Sequence, residues 1–320
     1  MRSVLVVRRD NIGDLVCTTP LFAALRRACP GAWIGALVNS YNAAVLDRNP
    51  DLDEVLVYTK LKHLEPGRSA LGALAARVGD LWRLRRRRLD CVVLANPLEA
   101  ARTLALARAL APKRIVSLPP EKLERMSAAH QVERVFALAA ELGIEGPIPP
   151  LKLVPDAALV AKARAAMKRP FNVALQISAR RPAQQWPAER FADLAQRLDA
   201  LGMGTLLVWA PGPANHPRHP GDDEKAAAIA GPQSMVAYRT ERLAELIGAL
   251  AACDAVVTSD GGAMHLAAAL QKPIVCFFGD VEPAQWRPWG APHRVLRAAS
   301  RRAADIGVDE ALAALRELTQ

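Results

Sequence analysis

Short β-branched apolar runs alternate along the whole chain with longer segments in which apolar residues recur every three or four positions. That rhythm predicts parallel sheets covered by helices, an α/β fold. In the first half it predicts strands at SVLVVR (3–8), AWIGALV (32–38), EVLVY (54–58), DCVVLA (90–95) and RIVSL (114–118). Helical periods join them at 18–28, 69–87, 100–110 and 127–142, the last opened by Ser127 as N-cap.

The pattern collapses at GIEGPIPPLKLVP (143–155), whose four prolines and two glycines favour an extended connector. A domain boundary is therefore expected near residue 150, giving units 1–150 and 151–320, with the last helix available to pack back on the first unit. The second series has strands NVALQI (172–177), GTLLVWA (204–210), AVVTS (255–259) and PIVCFFG (273–279), with helices at 189–200, 223–230, 242–252 and 263–270. Two such units leave a cleft between them, and open parallel sheets bind ligands beyond the carboxyl ends of their strands.

Composition narrows the class. The 320 residues are 51% hydrophobic and 23% charged, a globular balance that excludes wholesale disorder. No apolar run approaches the roughly 20 residues of a bilayer span, and the first residues run straight into a strand pattern rather than a signal peptide. A cytoplasmic protein is expected. Five cysteines without CxxC spacing fit core thiols in a reducing compartment. The net charge of +10 is densest at Arg83 and Arg85 to Arg88, and it suits an anionic partner: nucleic acid, lipid head groups or a phosphorylated substrate. Aromatics are only 5% and no RNA-binding or zinc-finger spacing occurs, so nucleic acid is not the expected partner.

Polar residues gather at the predicted strand ends. After 3–8 comes RRDNIGDLVCTTP, where Gly13 permits close backbone approach and Asp14 is either a helix cap or a general base. After 172–177 comes ISARRPAQQWP, in which Ser178, Arg180 and Arg181 precede a helix start and suit a diphosphate, or form a solvated basic loop. After 255–259 comes SDGGAMH: Asp260, Gly261 and Gly262 open an Ala-rich helix with His265 in its first turn, an anion site unlike the GxGxxG of nicotinamide enzymes. GDVEPAQWRPWG (279–290) is a stiff loop after the last strand.

IGDLVCTTP and SDGGAMHLAAALQKPIV together resemble glycosyltransferase family 9, the ADP-heptose:lipopolysaccharide heptosyltransferases and their relatives, with NPDLDEVLVY and QWPAERFADLA extending the likeness. The resemblance implies a GT-B architecture, two Rossmann-like domains with parallel sheets facing a central cleft. It implies that the first domain holds the acceptor and the second the nucleotide sugar. Transfer would be inverting and metal-independent, moving heptose from ADP-heptose to a lipopolysaccharide core precursor or other anionic glycan at the inner face of the inner membrane.

By the same resemblance Asp14 is the catalytic base, with Gly13 keeping its loop thin for the donor. Asp260, Gly261, Gly262 and His265 match the family's D-[ST]-G-x-x-H donor motif. Asp222, Asp223 or Glu224 supplies the carboxylate for ribose hydroxyls. Position and charge add Arg9, Lys60 and Lys62 as acceptor-binding cations. The triplet Asp51-Leu52-Asp53 is read as a turn, not a metal site.

Three departures stand out. Gln184 occupies the position of a lysine that neutralises donor phosphate, leaving Arg180 or Arg181 to supply charge. Gly261 replaces the usual Ser or Thr, and GDVEPAQW differs from the common GPTDPARW. Two alternatives stay open on these residues: a catalytically weak nucleotide-sugar or glycolipid-binding protein of the same fold, and a nucleic-acid-binding protein.

Overall fold

The structure is a computed structural model describing residues 1–58, 79–96, 100–215, 220–229 and 231–320. The chain divides into two compact units, Met1–Lys152 and Leu153–Gln320. Residues 143–155 between them carry no helix or strand, and Gly143 and Gly146 there adopt positive φ.

The first unit holds five parallel strands: β1 (Ser3–Val7), β2 (Trp33–Asn39), β3 (Glu54–Tyr58), β4 (Cys91–Leu94) and β5 (Arg114–Val116). Their order is β3-β2-β1-β4-β5. Residues of β1 and β4 are all buried, as near-continuous apolar runs in a sheet covered on both faces should be. Register is set on both sides of β1, with Val4 opposite Ile34 and Cys91. The strand order reverses between β1 and β4, and this is where an open α/β sheet leaves a crevice.

The second unit holds β6 (Asn172–Gln176), β7 (Gly204–Trp209), β8 (Met235–Arg239), β9 (Ala255–Ser259), β10 (Ile274–Phe277) and β11 (His293–Leu296), all parallel in the order β11-β10-β9-β6-β7-β8. Renumbered within the unit this is 6-5-4-1-2-3, the Rossmann order, with its reversal between β6 and β9. The helix Ala188–Ala200 covers the sheet by burying Phe191, Leu194, Ala195 and Leu198, a stripe at helical spacing. Glu189 in its first turn and Arg197 in its last complement the helix dipole.

Several local expectations need correction. The helix expected over 127–142 starts later, at Gln131–Glu141, and a separate short helix, Pro120–Arg125, precedes it. His130, not Ser127, caps the later helix: its Nδ1 accepts from Val132 N at 3.1 Å, and Glu133 accepts from His130 N at 2.9 Å. Edge strands β8 and β11 fall where no strand was predicted, because their half-exposed residues lack a continuous apolar run. The last helix, Val308–Thr319, puts Ala311, Ala314 and Leu315 into the core of the second unit. Most of the helix predicted over 69–87 lies outside the described residues, which resume in a helix at 79–86.

Candidate active site

β1 ends at Val7, and Arg8 follows with its side chain almost wholly buried, only 1% exposed. A buried guanidinium is tolerable only when its donors are satisfied. Arg8 Nε donates to Asp10 Oδ1 at 2.8 Å, Nη2 donates to Asp14 Oδ1 at 2.6 Å, and Nη1 donates to the carbonyl of Ala95 just beyond β4. One cation thus spans the reversal point of the first sheet.

Asp14 sits inside the short helix Ile12–Val16 rather than in a loop before the helix Thr19–Ala28. It does not cap either helix. Asn11 Nδ2 donates to its Oδ2 at 3.0 Å, and Gln131 Nε2 donates to its Oδ1 at 3.4 Å. Gly13 beside it is buried. Burial pushes the neighbouring Asp10 carboxyl up to about 7; Arg8 opposes this and the charge of Asp14 adds to it. Beside these residues opens a cavity of about 210 Å³, whose wall includes Arg8, Gln131, Arg134, Asn96 and Leu138.

Arg9, expected on an acceptor-facing loop, is buried instead. Its Nη2 donates to Thr103 Oγ1 at 3.0 Å and its guanidinium lies 4.8 Å from the ring centre of Tyr58, so it ties β3 to the helix Ala100–Ala109. Lys60 and Lys62 lie outside the described residues. Asp51 accepts from Lys152 Nζ at 2.5 Å, and Asp53 accepts from Arg26 Nη2 at 2.6 Å and Ile34 N at 2.7 Å. Both carboxylates of that triplet are held by residues remote in the chain.

In the second unit the residues collect at the reversal between β6 and β9. Gln184, in the turn Pro182–Gln184 after β6, donates from Nε2 to Asp260 Oδ2 at 2.6 Å. Burial pushes the Asp260 carboxyl up to about 6, with Arg181 opposing and Asp280 reinforcing the shift. Gly261 is the N-cap of the helix Gly262–Ala269, and its φ of 163° is extended backbone open to any residue. A Cβ there would meet nothing closer than Ser259 O at 4.0 Å. His265 is buried in the first turn of that helix, edge-on to Trp286 at 6.0 Å.

The turn carrying Gln184 is fixed from two sides. Trp186, 1% exposed, packs edge-on to Phe191 at 4.7 Å and against Phe277 at 4.6 Å, and its Nε1 donates to Ile306 O at 3.0 Å. At Gly279 the backbone beyond β10 comes so close that a Cβ would lie 2.3 Å from Ala183 O. Arg297 holds the following loop, donating to Gly279 O at 3.2 Å and pairing with Glu282 at 3.3 Å.

The remaining donor-side candidates separate. Ser178 Oγ accepts from Ala210 N at 2.9 Å and its hydroxyl also hydrogen-bonds Asp222, whose carboxyl burial pushes upward. Asp223 is committed to structure, accepting from Trp209 Nε1 at 2.7 Å and Gly212 N at 3.0 Å. Glu224 is exposed on the helix Asp223–Ala228, and Arg180 is exposed beyond Ser178. Residues missed in the sequence include Arg8, absorbed into a strand pattern, Asp10, Gln131 and Arg134, and Lys225, whose Nζ donates to Ile177 O at 2.9 Å beyond β6.

Acidic, amide and guanidinium groups gather at the reversal points of two Rossmann-like parallel sheets, an α/β architecture of the GT-B class. A sequence profile described as glycosyltransferase family 9 (heptosyltransferase) matches residues 113–313. The chain belongs to that family and is a glycosyltransferase. Lipopolysaccharide heptosyltransferase 2 of Salmonella typhimurium is 26% identical, the alignment covering 92% of this chain and 87% of that protein; the Escherichia coli protein of the same name matches to the same extent. Among solved structures, a family 9 glycosyltransferase from Veillonella parvula superposes with a TM-score of 0.82 at 20% identity, covering 99% and 97% of the two chains. ADP-heptose lipopolysaccharide heptosyltransferase II of E. coli gives 0.76 at 22%, covering 99% and 98%.

Proposed function

We propose that the protein transfers heptose from ADP-heptose to a lipopolysaccharide core precursor by an inverting, metal-independent displacement. The observation that carries the donor half of this reading is the Gln184–Asp260 bond at the mouth of the helix Gly262–Ala269. Free N–H groups of that first turn suit the diphosphate of the donor and the charge that grows on departing ADP. Arg181, close enough to act on Asp260, supplies a cation where the family pattern has lysine. Asp222, hydrogen-bonded to Ser178, suits ribose hydroxyls better than the committed Asp223 or the outlying Glu224.

In the first unit, Asp14 would accept the proton of the acceptor hydroxyl as that oxygen bonds to the anomeric carbon. The bond from that carbon to the β-phosphate oxygen breaks on the opposite face, and ADP leaves with the electron pair. An acceptor group entering the 210 Å³ cavity would meet the Arg8 and Gln131 side chains that hold Asp14. Charge complementarity with an anionic core sugar draws on Arg134, whose Nε is buried with no hydrogen bond among the described residues.

Purified protein is to be assayed with ADP-, UDP- and GDP-sugars in the presence of EDTA, with the product's anomeric configuration read by NMR. Turnover of ADP-heptose with inversion and no loss to EDTA is expected. Preference for another nucleotide, retention, or restoration by added metal would each contradict the corresponding part of the reading.

A further inference from the structure

Asp10 and Asp14 share one buried cation, and they hold it unequally. Asp14 takes three donors, from Arg8, Asn11 and Gln131, so both of its oxygens are engaged. Asp10 takes fewer: the Arg8 Nε bond on Oδ1 and a hydrogen bond from its own backbone N–H. Its side chain is also the more open, 19% exposed against 10%.

The position of Asp10 is nonetheless built. Its carbonyl oxygen accepts from the Tyr41 hydroxyl and from Asn42 Nδ2 at 3.1 Å, while Asn39 Nδ2 donates to the neighbouring carbonyl of Arg9 at 2.6 Å. The end of β2 and the segment after it thus clamp the loop that carries it. The ionisable groups around Asp10 are Arg8, Asp14 and the Cys17 thiol on its own stretch of chain and Tyr41 from the segment after β2.

We propose that Asp10 is the regulating partner of Asp14, a positioning residue that competes for Arg8 and thereby sets how tightly Arg8 holds Asp14 when Asp14 takes the acceptor's proton. The proposal rests on the glycosyl-transfer reading of the site. Two carboxylates on one buried guanidinium leave a net negative charge in a poorly solvated place, so the pair retains one proton more readily than two isolated groups would. The carboxyl with fewer donors keeps it, and that carboxyl is Asp10. With Asp10 neutral, Arg8 is concentrated on Asp14. Once Asp10 ionises, Arg8 is divided between two anions, and proton uptake by Asp14 returns the cluster to neutrality. Burial and the nearby Asp14 charge, which push Asp10 up to about 7, place this change near neutral pH.

The test has two arms. In the full chain without substrates, carboxyl-carbon NMR should show one aspartate titrating near pH 7, absent from Asp10→Asn and moved at least one pH unit lower in Asp14→Asn. In turnover assays the acid limb of kcat/KM should lie near the same pH, move at least one unit lower in Asp10→Asn with a plateau about tenfold reduced, and return in Asp10→Glu. A near-neutral titration that persists in Asp10→Asn, or none in the wild type, overturns the proposal, as does an acid limb that Asp10→Asn leaves in place. The NMR arm reads the pair whether or not heptose is the sugar moved, so it fails separately from the glycosyl-transfer reading. Should Asp10→Asn not fold, the wild-type and Asp14→Asn titrations decide alone.

Discussion

Gln184 and Asp260, 76 residues apart in the chain, are joined by a 2.6 Å hydrogen bond across the reversal point of the second sheet. A neutral amide therefore stands against a carboxyl that burial pushes up to about 6, with Arg181 opposing the shift and Asp280 adding to it. Gln184→Lys would place an ammonium on that carboxyl and beside the proposed diphosphate. ADP is expected to bind roughly tenfold tighter to the variant by calorimetry, an effect of about 1.4 kcal/mol. Unchanged or weaker binding would mean that the Gln184 position does not face the diphosphate.

Two glycines of the second unit should respond oppositely to an added side chain. Gly279→Ala puts a methyl into the Ala183 carbonyl, so the turn holding Gln184 must move; a loss of about 1–3 kcal/mol by denaturant unfolding is expected, with weaker ADP binding. Gly261→Ser meets open space at an extended φ and adds a capping hydroxyl to the helix Gly262–Ala269. Stability should rise by a few tenths of a kcal/mol, and the thermal shift produced by ADP should increase.

Asp10 also gives stability a pH dependence of known sign. Its native carboxyl titrates near 7 against an ordinary 3.8, so between those values the folded state holds a proton that the unfolded chain has released. Stability therefore falls as pH rises from about 4 to 7 and is level above that. Asp10→Asn removes this contribution. Denaturant unfolding of the two proteins at pH 5 and pH 8 should show the variant gaining on the wild type by about 2–4 kcal/mol across the interval. A constant difference would place the shifted proton elsewhere.

The central strands and the two sites were legible to different degrees, for physical reasons. Strands such as β1 and β9 lie inside covered parallel sheets and read as unbroken apolar runs, whereas the edge strands β8 and β11 are half-exposed and carry no such signature. Asp14 and the Asp260 to His265 segment were read as candidates because their motifs are contiguous in sequence. Arg8 was not, because it becomes a site residue only when β1 meets β4 and the carbonyl of Ala95 closes over it. Arg9 shows the converse: a cation that position and charge assign to the acceptor is drawn inward by Thr103 and Tyr58. Interactions between residues remote in the chain decided both.

The most direct measurement is heptose transfer from ADP-heptose to a purified lipopolysaccharide core precursor by the wild-type chain and by Asp14→Ala, each with its ADP affinity determined in parallel. The wild type is expected to turn over, and the variant to lose at least about 10²-fold in rate while binding ADP as before. Undiminished transfer by Asp14→Ala would remove Asp14 from its role, and absence of transfer by a folded, ADP-binding wild type would contradict the assignment of heptosyl transfer itself.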